Sequence, residues 1–116
     1  MRKIKWFAIV ILLVGCKEVG SITSTSCWPV KTLRVPCSEL PNSEEVSEII
    51  TQHSDIVEKI EDINNIHIRV VQTDVKGCSG KSVIIIEHAS VEECNEIKKV
   101  LNSNDFFGVP YGLLNL

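Results

Sequence analysis

Between Trp28 and Leu114 the apolar spacing switches from the strand repeat to the helix repeat and back, twice, and that order leaves few folds open. From Trp28 to Pro36, Leu33 and Val35 alternate with Thr32 and Arg34, which predicts a short strand bounded by Pro29 and Pro36. Pro41-Asn42-Ser43 then opens a long helix. Asn42 followed three residues later by Glu45 matches a capping box, because the acidic side chain can reach back to the cap amide. Val46, Ile49, Ile50, His53, Val57, Ile60 and Ile63 recur along one face, and Asn64-Asn65 ends the pattern. Ile66 to Thr73 predicts a second strand, with Ile66, Ile68 and Val70 on one side and His67, Arg69, Val71 and Thr73 on the other. A glycine-bearing loop, Asp74 to Gly80, separates it from Val83-Ile84-Ile85-Ile86, which is apolar on both faces as a central strand must be. Ser90 with Glu93 caps a second helix carrying Val91, Cys94, Ile97 and Leu101 as its buried stripe. Phe106 to Leu114 reads as a last, irregular strand, and Pro110 favours an edge position because it has no N–H to donate.

The succession strand, helix, strand, strand, helix, strand resembles the split βαβ of the ferredoxin-like fold, an α+β sandwich. That resemblance implies a sheet of order 4-1-3-2 with both helices on one face. It also implies a disulfide pairing. The first strand would end beside the hairpin between strands two and three, bringing Cys37 to Cys78, and would begin where the second helix begins, bringing Cys27 to Cys94.

The amino terminus sets the address. Arg2, Lys3 and Lys5 precede an apolar run from Trp6 to Val14, and Gly15 is the small residue at its end. This is the layout of a secretory signal peptide, and the run is far shorter than the roughly 20 apolar residues that span a bilayer. Leu13-Val14-Gly15-Cys16 resembles the lipobox of bacterial lipoproteins. The resemblance implies cleavage before Cys16, acylation of Cys16 and a protein tethered to a membrane by lipid. Residues 1–15 are then the signal peptide, 16–27 the lipidated terminus and its tether, and 28–116 the folded domain. The Ser/Thr-rich stretch from Lys17 to Ser26 reads as a tether that reaches about 33 Å at most. In lipoproteins of the enterobacterial type an aspartate after the acylated cysteine retains the protein in the inner membrane. Lys17 stands there instead, which points to the outer membrane, facing the periplasm.

Acylation of Cys16 leaves Cys27, Cys37, Cys78 and Cys94, an even set suited to two disulfides in an oxidising envelope. Their wide spacing does not suit zinc, so no metal and no cofactor other than the lipid is expected. Without the signal peptide the chain has 9 basic and 15 acidic residues, a formal charge of −6. Such a balance argues against nucleic acid as a partner, since that affinity comes largely from Lys and Arg on phosphates.

Gly77-Cys78-Ser79-Gly80-Lys81-Ser82 superficially suggests a phosphate-binding loop, but Val75 occupies the position of the first glycine and a strand follows where a helix is needed. Glu87 and His88 point to opposite faces of one strand, and no serine or free thiol stands in a nucleophilic setting. The expectation is a protein without enzymatic activity. The helix-free sheet face would carry Thr32, Arg34, His67, Arg69, Val71 and Thr73 beside apolar residues of the Val83–Ile86 strand. Arg34, His67, Arg69 and Val71 are accordingly the expected contacts to an envelope protein, since exposed apolar patches with such rims can mark interaction sites. The competing expectation is an inhibitor of an envelope hydrolase, or a phage or conjugation exclusion lipoprotein, that inserts the Gly77 to Gly80 loop and uses Ser79 or Lys81.

Overall fold

The computed structural model describes residues 18–116, so the signal segment and Cys16 lie outside the described residues. The fold is α+β in three layers. Strands β1 (Val19–Thr23) and β2 (Thr32–Pro36) form an antiparallel hairpin. A 3-10 turn at Cys37–Glu39 leads into helices α1 (Ser43–Gln52) and α2 (Ser54–Glu61). Then come β3 (Arg69–Asp74), β4 (Ser82–His88), helix α3 (Val91–Leu101), β5 (Asp105–Phe106) and β6 (Val109–Asn115). The main sheet has the order β3-β4-β6-β5, with β4 and β6 parallel and the outer pairs antiparallel.

All three helices lie on one face of this sheet. Val46 of α1, Ile60 of α2 and Cys94 and Ile97 of α3 close over Ile84, Ile86, Tyr111 and Leu113. The hairpin lies on the other face, where Ile22 and Val35 join Leu40, Val75, Cys78, Val83 and Ile85. Burying each isoleucine of β4 contributes about 1.5–3 kcal/mol, which is why this strand is the axis of the molecule. Both caps form where the sequence places them, although Val91 of the second helix's expected buried stripe is exposed. Glu45 accepts the Asn42 N–H at 3.0 Å, and Ser90 Oγ accepts the Glu93 N–H at 3.1 Å.

Three expectations need correction. The sheet does not have the order 4-1-3-2: Thr32–Pro36 is not one of its strands, and β6 occupies the central place beside β4. A strand between two packed layers needs apolar or small residues on both faces. Strand β6 has Val109, Tyr111 and Leu113 toward the helices and Gly112 and Leu114 toward the hairpin, whereas β2 exposes Thr32, Leu33 and Arg34. Pro110 fits because it precedes the pairing with β4, which begins at Tyr111. Second, Val19–Thr23 is a strand rather than tether, its Ile22 held against the sheet. Third, the long helix is two helices, broken at His53.

Both disulfides implied by the ferredoxin-like resemblance are present, Cys27–Cys94 and Cys37–Cys78, with Cα separations of 5.7 and 5.4 Å. They staple the hairpin to the rest of the molecule. Cys37, just after β2, is tied to the β3–β4 loop, and Cys27, in the loop between β1 and β2, is tied to α3 across the sheet. Leu113 donates its N–H to Ser24 O at 3.0 Å where that loop passes β6. Two glycines permit the close layer spacing. A Cβ on Gly20 would lie 2.7 Å from Cys78 Sγ, and one on Gly112 would lie 2.7 Å from Thr23 Cβ.

Candidate functional site

The hairpin leaves the β3 side of the sheet only partly covered, and the gap is a cleft of about 290 Å³. Its floor is built by Thr73 of β3 and Val83, Ile85 and Glu87 of β4, and its wall by Ser21 to Thr23 of β1. The alternation of β4 produces this floor, because every second residue from Val83 faces away from the helices. Ser24 donates to Lys31 O and Cys37 donates to Glu18 O, so the bonded partners along the hairpin alternate through Gly20 and Ile22. The N–H and C=O of Ser21 therefore lie on the outer edge of β1, beside the cleft. An unpaired strand edge above a partly apolar floor can accept an extended main chain, as strand addition does.

The four expected contact residues do not form one strip. Arg69 and Val71 share the β3 face beside the cleft, opposite Glu87 and Ile85 in the strand register, and both are exposed. The Arg69 guanidinium turns back to Asn65 O at 2.7 Å and Ile68 O at 2.8 Å. Arg34 lies in another layer, exposed on β2 opposite Ser21. His67 belongs to the turn before β3, and its Nδ1 is 3.4 Å from Glu93 Oε2. Arg34 is set apart by the exclusion of β2 from the main sheet, and His67 because the strand expected from Ile66 begins only at Arg69, leaving Ile66 and His67 exposed in the turn before it. The reading of Glu87 and His88 on opposite faces holds, since Glu87 borders the cleft and His88 is buried among the helices' side of the sheet.

The β3–β4 loop exposes Lys76, Gly77, Ser79 and Gly80. Lys81 is committed inside the fold: its ammonium donates to Leu40 O at 2.9 Å and Asn42 Oδ1 at 3.0 Å. Behind it Ser82 Oγ lies 2.6 Å from Ser43 Oγ and 3.1 Å from Asp74 Oδ1. These bonds fix the loop against the start of α1.

The three histidines are scattered. His53, at the break between α1 and α2, stacks on Phe107 with ring centroids 3.5 Å apart. His67 pairs with Glu93, whose carboxyl is held below its ordinary range first by the Ala89 amide and then, against an opposing effect of burial, by His67 and Asn64. His88 is fully buried, neither ring nitrogen meets a hydrogen-bond partner of good geometry among the described residues, and burial holds its pKa below the ordinary value against the opposing effects of the Ser90 backbone and Glu93. Among the described residues no group of three or more His, Cys, Asp or Glu is placed to hold a metal ion.

A second hollow of about 150 Å³ lies beside Phe107, lined by Ile56, Val100 and Leu101. Sequence reasoning missed it. Its signal was Phe107-Gly108, a dipeptide placed where a two-residue hairpin needs two residues at positive φ. Both adopt it, Phe107 at 51° and Gly108 at 91°.

Comparison with family models, with characterised proteins and with solved structures gives no match for this chain. The two disulfides fit an oxidising compartment outside the cytoplasm. Among the described residues no helix is long and apolar enough to cross a membrane.

Proposed function

We propose that the protein is a membrane-anchored envelope lipoprotein, without enzymatic activity, that binds a partner protein close to the membrane surface. Acylated Cys16 is its anchor, and the outer membrane, facing the periplasm, is the proposed site. The observation that carries the reading is the cleft between β1 and the β3–β4 face, where the outward main chain of Ser21 stands over Thr73, Val83 and Ile85. A partner supplying an extended segment gains main-chain hydrogen bonds from β1 and apolar contact from the floor. Arg69 and Val71 form the outer rim of this surface, and Arg34 and His67 stand apart from it.

Thr73→Trp fills the cleft from an exposed position and leaves the core intact. Crosslinking from native envelopes with the lipidated wild-type protein is expected to enrich one envelope protein, and Thr73→Trp is expected to lose it. A partner retained by the filled variant removes the cleft from consideration.

The inhibitor or exclusion reading keeps one observation in its favour, the exposed loop held by Cys37–Cys78. Ser79 is its test residue; Lys81 is not, because its ammonium is engaged internally. Loss of the partner on Ser79→Trp, with retention on Thr73→Trp, would replace the first reading by the second.

A further inference from the structure

The hairpin and the rest of the chain differ sharply in charge and surface. Residues 17–36 contain the cations Lys17, Lys31 and Arg34 and a single acid, Glu18. From Cys37 onward six cations face fourteen acids. The same hairpin carries four of the exposed large apolar side chains of the described residues: Val19, Trp28, Val30 and Leu33. Trp28 is 72% exposed and Leu33 48%. Large apolar side chains left in water beside cations, on an otherwise acidic protein, suit a surface that is apolar in depth and anionic at its boundary.

Position along the chain supplies the second argument. Strand β1 begins at Val19, three residues after Cys16. Three residues reach about 11 Å at full extension, a third of what a ten-residue tether would allow. An acylated Cys16 therefore keeps the Val19–Pro36 end of the hairpin at the headgroups, with the Trp28 loop one strand length, about 17 Å, further along it.

We propose that the β1–β2 hairpin is a membrane-docking element, with Trp28 of its loop seated in the interface and Lys31 and Arg34 against anionic lipid headgroups. The inference rests on acylation of Cys16 and deepens the proposed function by fixing which part of the domain meets the membrane. Tryptophan prefers the membrane interface because its ring is amphipathic, apolar in body and polar at the indole N–H. Each cation near an anionic surface favours the bound state by roughly fivefold. The hairpin is held for this at both ends, since the Cys27–Cys94 and Cys37–Cys78 bonds keep the loop and the strand from folding away. Neither Lys31 nor Arg34 makes a side-chain hydrogen bond or ion pair among the described residues, so both are free to serve it.

The mature chain offers its own probe, because Trp6 lies in the signal segment and Trp28 is then its one tryptophan. The acylated protein is reconstituted into vesicles of phosphatidylglycerol and phosphatidylethanolamine, or of phosphatidylcholine alone, and Trp28 quenching by brominated acyl chains is read alongside flotation. In the anionic vesicles a blue-shifted, quenched Trp28 is expected. Lys31→Glu/Arg34→Glu is expected to float equally while Trp28 returns to a water-exposed spectrum. A floating wild-type protein whose Trp28 stays water-exposed overturns the docking element and leaves the anchor standing. Equal quenching in phosphatidylcholine overturns the role of the two cations. Failure to float, with no acyl mass on Cys16, removes the anchor itself and the proximity on which the inference rests.

Discussion

At the scale of single residues, two positions show how little tolerance the layers have. Gly112 lies on β6 where the hairpin backbone crosses, and a Cβ there would meet Thr23 Cβ at 2.7 Å as well as Thr23 main chain. Gly112→Ala is therefore expected to lower stability by about 1–3 kcal/mol, as overpacking does, seen as a lower urea midpoint. An unchanged midpoint would mean that the hairpin is not held against β6. His88 is the opposite case, a polar ring enclosed without well-placed partners. Replacing it by leucine removes two unpaired nitrogens from the core, and His88→Leu is expected to hold or raise stability at pH 7 by about 1 kcal/mol. The pH dependence has a definite sign. Burial depresses the His88 pKa in the folded state, so the unfolded chain binds the proton more readily. The stability associated with a neutral His88 is fully present above the unfolded value near 6.5 and is lost as pH falls below it, toward the depressed folded value. Thermal unfolding between pH 7 and 5 should decline less steeply in His88→Leu than in the wild type. Equal slopes would mean that His88 is not neutral in the fold.

At the scale of elements, the sequence signals that held were local ones. The cap at Asn42–Glu45, the cap at Ser90–Glu93 and the doubly apolar Val83–Ile86 depend on residues a few positions apart, and each appears where it was read. The break at His53 did not show, because the apolar stripe runs through it without a glycine or proline. What accompanies it is distant: Phe107, at the tip of the β5–β6 turn, stacks on the His53 ring. Phe107 adopts a positive φ that costs an L residue about 1–2 kcal/mol, and the aromatic contacts offset about 0.5–1.5 kcal/mol of it. The placement of β2 and β6 was likewise hidden. Both contain a proline and alternating apolar residues, and what separates them is which segment has a second face to bury.

At the scale of the whole molecule, the two disulfides unite layers that share few other bonds. Removing a native disulfide from a small exported domain costs about 2–5 kcal/mol. The hairpin carries little of the fully buried core, whereas β4 and β6 carry most of it. Under mild reduction, amide exchange in β1 and β2 is expected to rise well before exchange in β4 and β6, read by mass spectrometry of peptides from each. Simultaneous loss of protection throughout would show that the hairpin is needed for the sheet to persist. The charge division belongs to this scale as well. A cationic, tryptophan-bearing hairpin stands against an acidic body, and it serves both proposed contacts, its loop and β2 facing the membrane and the outer edge of β1 facing the protein partner.

The sequence by itself determined the α+β class, both caps and the apolar axis strand. These follow from residues within a turn or a strand of one another, where backbone geometry dictates which side chains share a face. Its ferredoxin-like resemblance led to the correct cysteine pairing. That pairing survives although the sheet order does not, because it requires only that each end of the Cys27–Cys37 segment lie near its partner. Tertiary structure alone decided that Val19–Thr23 is a strand, that β6 rather than β2 lies beside β4, and that a cleft remains on the β3 side. Those outcomes depend on how well whole faces fill one another across the sheet, a comparison that no local spacing encodes.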